Sequence, residues 1–456
     1  MTNFTELALP DPLLRALDSL GYTEPTAVQA AALPELLAGN DVQAQARTGS
    51  GKTAAFGLGL LAALDPAQTR LQALVLCPTR ELADQVANAI RGLARHLPNI
   101  KVLSLCGGIP LRAQLASLTH EPHVAVGTPG RLQDLLKRGA LNTEALRVVV
   151  LDEADRMLDM GFIDPIRAIL RRTPPSRRTW MFSATYPDAI RSLGAAFQRD
   201  AQTITVDATH PTGTIRQRLI RAERAEKQAL LMRLLLREAP AACLVFCNTR
   251  RDVAAVADQL RSRGVTALAL HGELDQRERD ETLVQFANGS CRVLVTTDVA
   301  ARGLDIEALP MVVCWELAPD PDVHLHRIGR TGRAGETGDA VSLVSAREQP
   351  RLVGIEARLT KPLGWFEPPP EPNGARPEPA RMRTLVIDGG RRDKLRRGDI
   401  LGALTGDGGL SGGEVGRIDL FATRAYVAIA APRYRAVLSA LRDARIKNRR
   451  FRLRGL

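Results

Sequence analysis

Apolar residues in this chain occur either as short unbroken runs or at every third or fourth position between those runs. Runs such as Ala73-Leu74-Val75-Leu76-Cys77, Val124-Ala125-Val126, Val148-Val149-Val150-Leu151 and Trp180-Met181-Phe182 suit strands covered on both faces. Asp41-Val42-Gln43-Ala44-Gln45 alternates, as a half-covered strand does. Between the runs the period becomes helical, for example over Glu81 to Ala94. Alternating strands and helices predict a mostly parallel sheet with helices on both faces. Asp207 to Gly213 is polar, contains Pro and Gly, and interrupts the pattern as a linker does. The pattern then restarts with Leu244-Val245-Phe246-Cys247, Ala267-Leu268-Ala269-Leu270, Val293-Leu294-Val295 and Met311-Val312-Val313-Cys314-Trp315, and ends near Phe366. The expected organisation is an α/β domain over 1–207 and a second over 214–366.

Glu367 to Ala380 is Pro-rich and aperiodic, which predicts a semi-rigid extended spacer that would let the next domain vary in position. A third unit spans 381–456. Strands are expected at Thr384 to Ile387, Arg417 to Leu420, Tyr426 to Ala430 and Phe451 to Leu453, with helices at Gly398 to Thr405 and Arg433 to Arg442. The order βαββαβ is that of a ferredoxin-like plait, the architecture of RNA-recognition modules.

At 456 residues the chain is too long for one core. MTNFTELALPDP has no basic and apolar leader pattern, and Ala54 to Leu64 is too short to cross a bilayer, so a cytoplasmic protein without membrane association is expected. Six scattered cysteines inside apolar runs read as reduced core thiols. Cys243 and Cys247 have no second Cys/His pair to make a metal site. No long heptad pattern is present, and a monomer is expected. Charge is unevenly placed. Arg381 to Leu456 hold 18 Lys and Arg against 7 Asp and Glu, a net +11, which leaves +1 of the chain's +12 for the first 380 residues. A basic module on a near-neutral body suits a polyanion.

Chemistry enters with Ala46 to Thr53, ARTGSGKT, after the first strand. In Thr48-Gly49-Ser50-Gly51-Lys52-Thr53 the glycines admit phosphate close to backbone N–H groups, with Ala46 in place of the pattern's first glycine. Lys52 reaches β- and γ-phosphates and Thr53 Oγ sits on Mg²⁺. One of only seven lysines stands in this loop. Asp152, after the Val-rich strand, is placed to hold Mg²⁺, and Glu153 to polarise the attacking water. Alone, that acidic cluster would read as a helix N-terminus; beside the phosphate loop it reads as part of a nucleoside triphosphatase. In the second domain Arg327, Arg330 and Arg333 would line one face if helical, and arginine fingers of this kind contribute about 10³–10⁵ in rate. By itself the segment reads as a solvated basic turn.

Over residues 4 to about 345 these motifs resemble the DEAD-box ATP-dependent RNA helicases. The resemblance implies two RecA-like domains that close on ATP and RNA, with Mg²⁺ as cofactor. Phe4, Tyr22 and Gln29 in GYTEPTAVQ match the adenine-reading motif, Tyr22 stacking on the base and Gln29 bonding its edge. Thr48, Gly49, Ser50, Gly51, Lys52 and Thr53 hold the phosphates, and Gly303 and Asp305 match the second domain's nucleotide motif. Ser183 and Thr185 match the motif that couples hydrolysis to strand separation, and His326 the residue that contacts the first domain. Arg330 and Arg333 fall on the finger positions. Arg80, Gly108, Thr128 and Arg131 match first-domain RNA contacts, and Thr249, Arg250, Gly272, Gln276, Arg279 and Thr296 those of the second.

The third unit resembles the C-terminal RNA-binding domain of DbpA-type helicases, which implies large-subunit ribosomal RNA as target. Its strand Arg424 to Ile429 offers one aromatic where two or three stacking residues are usual. RNA contact is therefore expected from Arg391, Arg392, Lys394, Arg396 and Arg397, and from Arg449 and Arg450 in the tail. The expected activity is RNA-stimulated, Mg²⁺-dependent ATP hydrolysis with local, non-processive unwinding of 23S rRNA in assembly of the 50S subunit. A general helicase of mRNA turnover or cold adaptation, and an ATP-gated RNA clamp that does not unwind, are the alternatives.

Overall fold

The computed structural model describes residues 3–456 apart from 47–48, 207–214, 302–308, 333–336, 360–361, 371–373, 442–445 and 448. The expected linker at 207–213 lies outside the described residues. The chain divides into two compact units, one before that stretch and one after it.

The first unit is built on seven strands: β1 (Val42–Gln45), β2 (Ala73–Leu76), β3 (Val102–Leu105), β4 (Val124–Gly127), β5 (Val148–Asp152), β6 (Arg178–Ser183) and β7 (Gln202–Thr205). They pair in parallel in the order β3-β4-β2-β5-β6-β1-β7. Every residue of β2, β4 and β5 is buried, which accounts for their unbroken apolar character. The helix Arg80–Leu93 shows how sequence sets the covering layer. Thr79 caps it by accepting from the Leu82 N–H, and its buried Ala83, Val86, Ala87, Ile90 and Leu93 form one stripe against the sheet.

The second unit begins with another parallel sheet: β8 (Ile215–Arg221), β9 (Cys243–Phe246), β10 (Ala267–Leu270), β11 (Val293–Thr296), β12 (Met311–Cys314), β13 (Gly338–Val344) and β14 (Gly364–Trp365). Its order is β10-β11-β9-β12-β13-β8-β14. Counted from one within each sheet, both orders read 3-4-2-5-6-1-7. All six cysteines are free and buried, and burial pushes the Cys243 and Cys291 thiols up to about 12.

The third domain has four antiparallel strands, β15 (Met382–Ile387), β16 (Val415–Leu420), β17 (Ala425–Ala430) and β18 (Leu453–Gly455), in the order β16-β17-β15-β18. Helices Arg397–Thr405 and Tyr434–Ala440 complete the βαββαβ order. The last strand lies two residues beyond its expected start, because Leu453 rather than Phe451 takes the register opposite Ile387.

The spacer does not leave this domain apart. One face of β15 and β17 packs on the second domain's helix Gln276–Ala287, where Val284, Val386 and Tyr426 are buried together. Glu281 pairs with Arg454, Asn288 Nδ2 donates to Thr384 Oγ1 at 2.9 Å, and Thr384 Oγ1 donates to Ser290 Oγ at 2.9 Å. Arg292 fixes the spacer itself, donating to the Glu378 carboxylate at 2.8 Å and to its carbonyl at 3.0 Å.

Candidate nucleotide and RNA sites

In a parallel sheet the loops that leave the carboxyl ends of the strands share one edge, and side chains there can act together. In the first domain the phosphate loop leaves β1, Asp152 and Glu153 end β5, and Ser183 ends β6. These three strands are neighbours in the order β5-β6-β1.

Lys52 opens the helix Lys52–Ala62 and is buried, its Nζ donating to the Ala46 carbonyl at 2.8 Å. Gly49 and Gly51 adopt positive φ, 79° and 95°. A Cβ on Gly51 would stand 2.5 Å from Gln29 Nε2. Gln29 is fully engaged by the chain: Oε1 accepts from the Thr26 N–H at 2.9 Å and Nε2 donates to the Gly51 carbonyl at 3.1 Å. Thr26 Oγ1 adds a bond to the Ser50 carbonyl at 2.8 Å. Here the adenine-motif glutamine therefore braces the phosphate loop. Tyr22 is 40 % exposed, with Phe4 set edge-on against it at 6.5 Å. Thr53 is half-buried in the first turn after the loop. Thr48 lies outside the described residues.

Three acids and two bases, Asp152, Glu153, Asp155, Lys52 and Arg156, act on one another here. Burial pushes Asp152 up to about 7, with Lys52 opposing the rise and Glu153 adding to it. Burial also works against the charge of Asp155, yet Lys52, Ser183 and Thr185 hold its carboxyl below the usual range. Asp155 Oδ2 accepts from both the N–H and Oγ1 of Thr185, at 2.9 and 3.0 Å, and its own N–H donates to Ser183 Oγ at 3.1 Å. Glu153 stands in the left-handed region at φ 53°, and its Oε2 accepts from Arg156 Nη1 at 2.9 Å. The buried Asp152 carboxylate at the end of β5 and the Thr53 hydroxyl in the first turn after the phosphate loop are hard oxygen donors of the kind Mg²⁺ takes.

The RNA-motif residues occupy the other half of the same edge. Arg80 follows β2, Gly108 follows β3 with φ 75°, and Thr128 and Arg131 follow β4. Arg131 is already engaged, donating to Gln114 Oε1 at 2.6 Å and to the Ile109 carbonyl at 3.1 Å. In the second domain Thr249 and Arg250 follow β9, Gly272 and Gln276 follow β10, and Thr296 ends β11, again on three adjacent strands. Arg250 pairs with Glu273 at 2.8 Å, and Arg279 donates to the Ala300 carbonyl at 2.7 Å.

Arg327 and Arg330 do not share a helical face, because the helix Pro321–Ile328 ends before Gly329. Arg327 turns inward and is 1 % exposed. It donates from Nε and Nη2 to Asp298 at 2.7 Å each, from Nη2 to Asn248 Oδ1 at 2.6 Å, and from Nη1 to the Glu316 carbonyl at 2.7 Å. It is a core arginine. Arg330 lies beyond the helix end and His326 in its last turn. Arg333, Gly303 and Asp305 lie outside the described residues.

On the third domain the two basic segments meet. Arg449 pairs with Asp393 at 3.2 Å, and Lys447 pairs with Asp399 at 3.6 Å and donates to the Lys394 carbonyl at 2.9 Å. Arg391, Arg392, Lys394, Arg396, Arg397, Arg449 and Arg450 are all exposed there. The sheet face with the lone aromatic, Tyr426, is the face packed on the second domain. Sequence reasoning assigned no role to Thr26, Arg156 or Arg292. Arg156 had a signal in its i, i+3 spacing from Glu153, an ordinary helical pair distance.

Three family models match the chain: DEAD/DEAH box helicase over residues 26–193, helicase conserved C-terminal domain over 226–335, and DbpA RNA binding domain over 384–454. It is 52 % identical over 457 residues to the ATP-dependent RNA helicase DbpA of Escherichia coli K12, covering 100 % of both chains. It is 34 % identical over 475 residues to the protein of the same name from Bacillus subtilis 168, covering 99 % of each. Among solved structures, S. cerevisiae Dbp5 bound to RNA and ADP BeF3 superposes with a TM-score of 0.71 at 30 % identity, over 80 % of this chain and 95 % of that one.

Proposed function

This chain belongs to the DEAD-box family of ATP-dependent RNA helicases, with an RNA-binding domain of the DbpA type, and from that premise we propose a reaction and a target. Tyr22 stacks on adenine and Gln29 turns from Gly51 to the base edge. Gly49, Ser50, Gly51 and Thr48 cradle the phosphates and Lys52 leaves the Ala46 carbonyl for the β- and γ-oxygens. Mg²⁺, held through Thr53 and Asp152, would neutralise phosphate charge. Water oriented by Glu153 attacks the γ-phosphorus. The bond from that phosphorus to the bridging oxygen breaks, ADP leaves with the electron pair, and the proton of the water passes to Glu153. Arg330 and Arg333 offset the developing charge, Gly303 and Asp305 face the nucleotide, and His326, Ser183 and Thr185 relay its state. Asp155 is the physical link in that relay, since one carboxylate adjoins the water-orienting residue and bonds Thr185.

RNA is held by Arg80, Gly108, Thr128 and Arg131 in the first domain and by Arg250, Gly272, Gln276, Arg279 and Thr296 in the second. These contacts fall on phosphates and sugars and carry no sequence preference. Targeting belongs to the third domain, and we assign it large-subunit ribosomal RNA, with action in the cytoplasm on the assembling 50S particle as a monomer. Among the described residues no helix is long and apolar enough to cross a membrane. The observation that supports this reading is the joined basic surface of Arg391 to Arg397 and Lys447 to Arg450, set away from the covered sheet face. The test is steady-state ATPase at low RNA, comparing 23S rRNA with poly(U), in the full chain and in a variant with Arg391, Arg392, Arg449 and Arg450 changed to Ala. A preference for 23S rRNA that disappears in the variant is the expected result. Equal stimulation by both RNAs in the unmodified protein would leave a general helicase with an unspecific basic tether.

A further inference from the structure

Glu153 is the residue whose carboxylate must be in one place when water attacks, yet its own backbone is strained. A non-glycine residue in the left-handed region costs on the order of 1 kcal/mol and persists only where its surroundings hold it. Glu153 has φ 53° and ψ 54° immediately before the six-residue helix Ala154–Asp159. Such a short helix does not fix a preceding side chain by itself.

Arg156 is placed to hold it. Its guanidinium reaches back one turn and donates from Nη1 to Glu153 Oε2 at 2.9 Å. The two side chains are only 6 % and 5 % exposed, so the pair is largely shielded from water and salt. The Arg156 backbone is held in turn: its main-chain N–H donates to Asp155 Oδ1 at 2.9 Å, and Asp155 Oδ2 accepts from Thr185. The guanidinium thus reaches Glu153 from a backbone tied through Asp155 to the loop after β6.

We infer that Arg156 is a positioning residue for hydrolysis: its ion pair fixes the Glu153 carboxylate, and so the attacking water, without itself touching nucleotide. This rests on the water-orienting role of Glu153 proposed above. A residue that acts only through Glu153 changes turnover and leaves ATP binding alone, because the loop and the adenine contacts bind ATP without it.

The experiment measures RNA-stimulated kcat and the KM for ATP, together with the affinity of a fluorescent ATP analogue, for Arg156→Gln, Arg156→Lys, Glu153→Gln and the double variant Glu153→Gln/Arg156→Gln. Arg156→Gln is expected to lower kcat roughly 10- to 100-fold, within the range a positioned base contributes, while KM and analogue affinity stay within about twofold. Arg156→Lys keeps the charge but not the planar fork and is expected to recover most of the lost kcat. The double variant is expected to be no slower than Glu153→Gln, since both changes remove one function. Wild-type kcat in Arg156→Gln, a loss that lysine does not restore, weakened analogue binding, or multiplicative losses in the double variant would each overturn the inference. If Arg156→Gln does not fold, Arg156→Lys decides, by whether its loss falls on kcat alone. Full activity in Glu153→Gln would instead sink the hydrolysis mechanism itself, so the two failures are told apart.

Discussion

The two helicase domains have the same strand order, and in each the helix after the first strand opens with a buried lysine. Lys52 begins Lys52–Ala62 after β1; Lys227 begins Lys227–Glu238 after β8. They differ in what each lysine meets. Lys52 donates to a backbone carbonyl of its own loop, and its charge acts on the Asp152 and Asp155 carboxylates near it without a salt bridge to either among the described residues. Lys227 donates to the Trp315 carbonyl at 2.8 Å, just past β12, and to the Glu348 carboxylate at 2.6 Å, just past β13. Burial acts to raise Glu348, but Lys227 and Ser345 hold it below the ordinary carboxylate range. The second domain thus closes a buried ion pair on its lysine, whereas the first domain bonds its lysine to an uncharged carbonyl. In the first domain the charge is saved for a ligand; in the second it is spent on the fold.

Breaking each lysine site tests that contrast. The largest effect is expected in the first domain: Lys52→Ala should lower ATPase kcat by 10³-fold or more, on the scale of losing electrostatic stabilisation of a transferring phosphoryl group. RNA binding by the third domain should survive, as measured by filter binding at fixed salt, and thermal denaturation should change little. Glu348→Gln should do the reverse. It leaves a buried ammonium without its counter-charge and is expected to destabilise the second domain by about 3–5 kcal/mol. Denaturant titration checks this, and ATPase at low temperature should remain. Loss of activity without loss of stability in Glu348→Gln would give both lysines the same role.

Acid should also distinguish the domains. His324 is buried with its Nδ1 unpaired, and burial together with the adjacent Arg327 guanidinium lowers it to about 4, against the pull of Asp298. The folded state then binds this proton less readily than the unfolded chain, whose histidine titrates near 6.5. The contribution is fully present above pH 6.5 and is lost as pH falls toward 4, to a total of about 3 kcal/mol. His324→Phe should flatten that part of the stability profile of the second domain. An unchanged profile between pH 6.5 and 4 would show that another group governs it.

Much of this was legible beforehand because burial on both faces writes long apolar runs. β2, β4, β5, β9, β11 and β12 all announce themselves so, and the phosphate loop and the acids after β5 follow from their strands. What stayed hidden depends on contacts between segments far apart in sequence. Arg327 has the spacing of a finger array, but Asp298, Asn248 and Glu316 draw it into the core. β14 is two exposed residues, Gly364 and Trp365, and it exists only through pairing with β8. Gln29 reads as a base contact, while its bond to Gly51 becomes visible only once the helix Ala27–Ala38 is set beside the phosphate loop. The Pro-rich composition of the spacer suggests free extension, yet its fate is decided by Arg292, 86 residues away from Glu378.

That clasp changes what the spacer is for. A flexible tether acts through effective concentration, and its length then tunes how often the tethered module meets its target. Here Val386 and Tyr426 are seated on Val284 of the helix that begins with Gln276, three residues before Arg279. The basic surface and the start of the helix Gln276–Ala287 are thus offset by a span that protein packing defines. Inserting a few Gly-Ser residues after Pro370 should move the 23S rRNA preference by less than about twofold. Such a module works less like a leash than like a fixed gauge: the distance from its basic surface to the second domain is set by packing and not by the length of the spacer.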